Sequence, residues 1–302
     1  MIDKSLFHKF IASYFGSEIN MEFIGHADLG RNNVYLLTDK NQVLKTYRDK
    51  RRWAAEVASL KFLQNRGLFV PQLVDYGTFQ DNLCWLIMNK LEGLKLSEIL
   101  DQISLDQRKE LLYHMGHTLA DFHQKCKVNQ FGEWDENMNK THNWLTFAEF
   151  ETEQNRKRGK ELLERNLPEN NLFKLGYSKM LTLEDSLFSV NSFALCHNDF
   201  SERNILVNKS GNDIQIVGII DFELSYPSDA EADLTKMVLK NYFSKDINQF
   251  IMGYQNKLKL TEDFSSKQEY YLIALSLDIC CWARENAYDF YQEAVAVLEQ
   301  LV

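Results

Sequence analysis

Proline is scarce in this chain, with three in 302 residues. There is no Pro-rich spacer, low-complexity linker or internal repeat, which excludes a string of modules joined by flexible tethers. Cysteine is sparse and scattered. Cys84, Cys126, Cys196, Cys280 and Cys281 form an odd set without a C-x-x-C pair. That pattern argues against a disulfide framework and fits reduced thiols in a cytoplasmic protein. No run approaches the ~18 apolar residues of a membrane span. The opening MIDKSLFHKF carries charges where a signal peptide needs an apolar core, so a soluble, intracellular protein without a membrane partner is expected. Excess positive charge is missing too. A net charge of −9 argues against a nucleic-acid partner and is compatible with a cationic small molecule. What the chain has is 45% hydrophobic residues, enough for one large or two smaller domains.

The most informative stretch is LCHNDFSERNILV, residues 195–207. His197-x-Asp199 is followed five residues later by Asn204 and then by an apolar, strand-like run. A second such run, IQIVGII, ends in Asp221-Phe222-Glu223, with a hairpin expected around 209–212. A loop carboxylate so placed can take a proton from a hydroxyl, while an amide oxygen and a second carboxylate can reach one metal ion. Mg²⁺ asks for such hard oxygen donors and uses few of them from protein. Phosphoryl transfer needs little more than positioning and charge neutralisation. The plainer reading makes Asp199 and Asn204 turn residues between buried strands, but a turn does not call for a second acid after the next strand.

Upstream, KSLFHKFIASYF sets Leu6, Phe10 and Tyr14 at i, i+4 and i+8 of an amphipathic helix. Strand-like INMEFI, NVYLLT and QVLKTY follow. Between the first two, GHADLGRN holds Gly25 and Gly30, whose backbone could approach phosphates closely, although two glycines in a hairpin need no ligand. In QVLKTY the alternation puts Val43, Lys45 and Tyr47 on one face. An ammonium beside a valine needs an anionic partner. The helix at 51–66 offers Glu56, on the same face as Trp53, Leu60 and Leu63. A Lys45–Glu56 ion pair is therefore expected; the alternative is a surface lysine and a snorkelling glutamate. Gly67 is expected to cap this helix. NLCWLIMNKLEG (82–93) reads as an inner strand that ends at Asn89-Lys90. A long helix capped by Ser104 carries Leu112, Met115, Leu119 and Phe122 on its apolar stripe, and His114, His117 and His123 read as ordinary helix residues. Residues 128–192 read as an inserted helical segment.

The H-x-D-x4-N…D pattern resembles the catalytic and metal-binding loops of the protein-kinase-like superfamily. IDFE in place of DFG is similar to the aminoglycoside phosphotransferase and choline kinase branch. The resemblance implies an α+β, bilobal kinase-like fold, with a small antiparallel-sheet N-lobe (1–88), a hinge (89–93) and a larger, mostly helical C-lobe (94–302). It implies ATP and Mg²⁺, with Asp199 as the base and Asn204 and Asp221 as metal ligands. Lys45, set by Glu56, would cradle the phosphates beside the Gly25–Gly30 loop and Val43. Met88 would back the adenine pocket, backbone atoms of Asn89 and Leu91 would pair with the base, and Leu206 and Ile220 would floor it. His197 would brace the loop. Asp233 resembles the aspartate that holds the catalytic loop through backbone hydrogen bonds; its plainer role is a helix N-terminal acid.

Eleven residues separate Asp221 from Asp233, and no A-P-E element follows. That leaves no room for a peptide-docking segment and favours a small-molecule hydroxyl acceptor. An aminoglycoside-like antibiotic comes first, with resistance as the role. A metabolic kinase for choline, ethanolamine, homoserine or a sugar stands as the alternative, and a non-catalytic nucleotide-binding regulator as a third. On the last long helix, Asp278, Glu285 and Asp289 fall on one stripe with Trp282 between them, a candidate cradle for a cationic acceptor. A solvated acidic face explains the same stripe.

Overall fold

The computed structural model describes residues 4–16, 19–25, 32–80, 83–211 and 213–302. Its contacts sort the chain into two units. The first comprises Met1–Ile99, Glu133–Thr141 and Glu202–Ser225; the second comprises Leu100–Gly132, His142–Ser201 and Tyr226–Val302. The units are interleaved along the chain, whereas the lobes expected from the sequence are continuous.

The first unit is built on a five-stranded antiparallel sheet of order β1-β2-β3-β5-β4. The strands are β1 (Met21–Phe23), β2 (Asn32–Leu37), β3 (Gln42–Tyr47), β4 (Leu73–Phe79) and β5 (Leu83–Asn89). β3 lies in the middle, and its period-2 alternation divides the work. Leu44 joins the core formed with helix α1 (Lys4–Phe15), while Lys45 and Tyr47 reach Glu56 on helix α2 (Lys50–Leu63). The buried face of α1 is Phe7 and Phe10, three residues apart, and Tyr14 sits at its margin. The face expected from Leu6, Phe10 and Tyr14 is thus rotated by one position. α2 starts where the Asp49 carboxylate accepts the Arg51 N–H, at 2.9 Å. It stops at Leu63 with Gln64 as its cap, three residues before Gly67. Asn65, with φ of 63°, has already turned the chain into the left-handed region, so Gly67 is not the cap. A smaller antiparallel sheet pairs Leu94–Lys95 with Ile205–Ser210, and that strand with Asp213–Ile219.

The second unit is mostly helical. Leu105–Lys125 opens with a capping box between Ser104 and Gln107. It packs on Ile247–Lys257 at a point where only glycine fits. A Cβ on Gly116 would stand 1.9 Å from the Phe250 carbonyl oxygen, and one on Gly253 1.9 Å from that of Tyr113. The inserted segment forms helices Phe147–Glu164 and Asn170–Leu183. Leu162, Phe173 and Met180 from these helices join Ile273, Leu277 and Leu298 in one hydrophobic core. A short sheet centred on Phe193–Cys196 leads straight into the His197 loop. All five cysteines are free thiols. Among the described residues, no helix is long and apolar enough to cross a membrane.

Candidate active site

In the first unit, one ammonium gathers three carboxylates. Lys45 Nζ lies 2.7 Å from Glu56 Oε2, 2.6 Å from Asp221 Oδ1 and 2.8 Å from Glu223 Oε2. Lys45 is 4% exposed and Glu56 is fully buried, so solvent screens these contacts little. Glu56 does more than pair the lysine. It accepts the Tyr47 hydroxyl at 2.5 Å and the Phe222 backbone N–H at 3.3 Å, tying strand β3 to the Asp221 segment. Arg52 reaches Glu223 at 2.5 Å, and the Asn32 amide also donates to Glu223. Burial opposes the charge on Lys45, but Asp221, Glu56 and Glu223 outweigh it and hold the ammonium well above the usual lysine range. Glu56 is pushed up by burial; Lys45 opposes the shift and the other two acids add to it. Three acids share one lysine, which cannot neutralise them all. Asp221 has a φ of 71°, a strained value for a non-glycine residue of the kind that collects at functional sites.

The other expected nucleotide residues fall in the same unit. Val43 and Met88 are buried and paired across β3 and β5. Leu91 and Leu206 meet around Gly218, where a Cβ would lie 3.0 Å from Leu91 Cδ1 and 3.4 Å from Leu206 Cβ. Ile220 is half-buried, and its N–H donates to the Asn204 carbonyl at 3.0 Å. Asn204 is itself buried. The Asn89 N–H donates to the Gln72 carbonyl at 3.0 Å, so of the backbone atoms expected to meet adenine this one is already engaged. Gly25 packs against Phe23 and Val34, while Gly30 lies outside the described residues.

In the second unit the centre is an anion. Asp233 accepts the backbone N–H of His197 at 2.6 Å and that of Asn198 at 2.7 Å, one on each carboxylate oxygen. His123 Nε2 donates to Oδ2 at 3.1 Å, and His123 Nδ1 accepts the Tyr254 hydroxyl at 2.9 Å. Burial raises the Asp233 carboxyl, but His123 and the His197 N–H prevail and hold it below the ordinary aspartate range. His197 is buried, and its Nδ1 accepts the Asp199 N–H at 3.3 Å, which commits that nitrogen to the loop. Asn198, with φ of 60°, bends the chain so that Asp199 follows with its side chain 23% exposed. Lys236 Nζ stands 3.4 Å from Asp199 Oδ1.

The model of the phosphotransferase enzyme family matches residues 25–267. The chain belongs to that family. No curated protein sequence matches it, but solved structures do. Aminoglycoside phosphotransferase APH(4)-Ia superposes with a TM-score of 0.74 at 12% identity, covering 98% of this chain and 97% of its own. The GDP complex of aminoglycoside 2'-phosphotransferase-IIIa gives 0.70 at 18% identity, with 99% and 98% covered. The gentamicin complex of APH(2")-IIa gives 0.66 at 19%, with 99% and 97% covered. At these identities the likeness is one of fold, and the fold is kinase-like.

On this phosphotransferase the expected acceptor stripe does not form one helix face. The helix Phe264–Asn286 ends at Ala287, and Asp289 lies in the first turn of the next helix, Tyr288–Leu301. The remaining acids already have cations. Arg158 meets Asp278 at 3.3 Å and Arg165 meets Glu285 at 2.5 Å. Trp282 leans on Phe290, with ring centroids 6.4 Å apart. Several site residues escaped sequence reasoning. Glu223 sits two residues past Asp221, which in extended chain is the same side. His123 continues the Met115–Leu119 row at i+4, a polar residue on an apolar stripe. Arg52 and Lys236 gave no local signal.

Proposed function

We propose that this phosphotransferase moves the γ-phosphoryl group of ATP to a hydroxyl of a small, aminoglycoside-like acceptor. The observation that carries the reading is the pairing of two features. A lysine is surrounded by Glu56, Asp221 and Glu223, and Asp199 stands on a loop whose backbone is clamped by Asp233, five residues before Asn204. Asp199 accepts the hydroxyl proton as the acceptor oxygen bonds to the γ-phosphorus and the bridging P–O bond to ADP breaks. Lys45, held by Glu56, is the cation for the phosphate oxygens.

The donor set fits Mg²⁺. Carboxylate oxygens of Glu56, Asp221 and Glu223 lie within 4.8 Å of one another, and against Lys45 and Arg52 they leave a surplus of negative charge. Asp221 and Asn204 would hold the ion, which when bound supplies charge neutralisation at the phosphates. The acceptor class draws on APH(4)-Ia in complex with ADP and hygromycin B, and on APH(2")-IIa with gentamicin. Resistance to such a compound is then the biological role. Five free thiols fit a reducing compartment, the cytoplasm. ADP release from Mg²⁺·ATP, measured with and without hygromycin B, gentamicin and smaller polyols, tests the reading. Acceptor-dependent release, with the acceptor gaining one phosphoryl group by mass, is expected. Release that no acceptor stimulates would leave a nucleotide-binding protein without this function.

A further inference from the structure

Resting on the reading of Asp199 as the proton acceptor, we propose that Lys236 selects which acceptor hydroxyl is phosphorylated, by rejecting hydroxyls that have an ammonium on the neighbouring carbon. Lys236 Nζ is 3.4 Å from Asp199 Oδ1, and its side chain is 16% exposed. The ammonium also stands over the Phe290 ring, 5.8 Å from its centroid. A hydroxyl that donates to Asp199 lies about 2.7 Å from a carboxylate oxygen. A substituent on the adjacent carbon can then approach Lys236 to roughly 6 Å in poses that turn it toward the lysine. Between like charges at that range, repulsion changes binding from several-fold in bulk water to about a hundredfold at partial burial.

Asp278, the acid whose charge interacts with Lys236, is already engaged. Asp278 and Glu285, the carboxylates that sequence spacing put forward for a cationic acceptor, are paired with Arg158 and Arg165. Ammonium groups elsewhere on the acceptor are compatible with this geometry. Beside the reacting hydroxyl, the geometry favours another hydroxyl, a carboxylate or a phosphate, each of which Lys236 can hydrogen-bond. A partly exposed pair such as Lys236–Asp199 contributes little to stability, so the lysine is free to exchange partners when the acceptor arrives.

The test uses the full chain and kanamycin, which carries hydroxyls with and without a neighbouring ammonium. The phosphorylated position is mapped by NMR for wild type, Lys236→Met and Lys236→Arg, with Asp199→Asn as the control for chemistry. Wild type is expected to modify a hydroxyl without a vicinal ammonium. Lys236→Met should shift the product ratio about tenfold toward ammonium-flanked positions, and Lys236→Arg should keep the wild-type pattern. An ammonium-flanked product from wild type, or an unmoved ratio in Lys236→Met, would overturn the role of Lys236 while leaving phosphotransfer standing. If wild type modifies no hydroxyl and Asp199→Asn matches it in ATP hydrolysis, the functional reading fails, and the selection by Lys236 fails with it.

Discussion

Two buried charged side chains, Lys45 in the first unit and Asp233 in the second, each centre a polar cluster, and the two are of opposite sign. Around Lys45 a cation faces three carboxylates, with Arg52 as a second cation on Glu223. Around Asp233 an anion is answered by two backbone N–H groups and one imidazole. The first cluster is charge-unbalanced and can exchange partners, as a site receiving a metal and phosphates must. The second is met by hydrogen bonds from backbone N–H groups and an imidazole, which is how a loop is held still.

Replacing the base separates the two clusters most sharply. Asp199→Asn should lower acceptor phosphorylation by roughly 10²–10⁴-fold. Nucleotide affinity should be unchanged, because the base serves the acceptor hydroxyl and Lys45 the phosphates. Nucleotide titration beside turnover is the check, and equal losses in both would erase the distinction. Next in size is the clamp. Asp233→Asn turns one accepting oxygen into a donor facing a backbone N–H, at a cost of about 2–4 kcal/mol. Denaturant midpoints should fall accordingly, with nucleotide affinity of the folded fraction retained. A variant as stable as wild type would show that the backbone bonds do not hold the loop.

The smallest effect concerns Glu151, on the Phe147–Glu164 helix. Burial pushes its carboxyl from 4.5 to about 7, with the Asp229 carboxylate adding to the shift and Asn155 opposing it. A carboxyl raised in the folded state favours folding while protonated. Its contribution is intact below about pH 4.5 and is lost as pH rises toward 7. Glu151→Gln should therefore melt a few degrees above wild type at pH 8, with the gap closing by pH 5. A gap that stays constant with pH would remove Glu151 as the source.

How much of this the sequence disclosed follows from the range of each signal. Lys45 and Glu56 stood out because each breaks an apolar pattern within its own element, and the two do meet. The His197–Asp199–Asn204 spacing is local and was legible; the clamp from Asp233 was legible through resemblance alone. Glu223, Arg52 and Lys236 acquire their partners only through contacts that no period records. Arg52 and Glu223, for instance, lie 171 residues apart in sequence. The acid stripe failed for a different reason. Ala287 ends the helix without a glycine or proline to announce it, and the arginines that answer Asp278 and Glu285 come from another helix and its C-terminal cap.

That the carboxylate surplus around Lys45 is a metal–nucleotide site is tested most directly by titrating ATP at rising Mg²⁺ against wild type and Asp221→Ala. Wild-type affinity should climb with Mg²⁺, by about tenfold or more, and the variant should lose most of that dependence. Wild-type affinity indifferent to Mg²⁺, or a variant with the full wild-type dependence, would contradict the account.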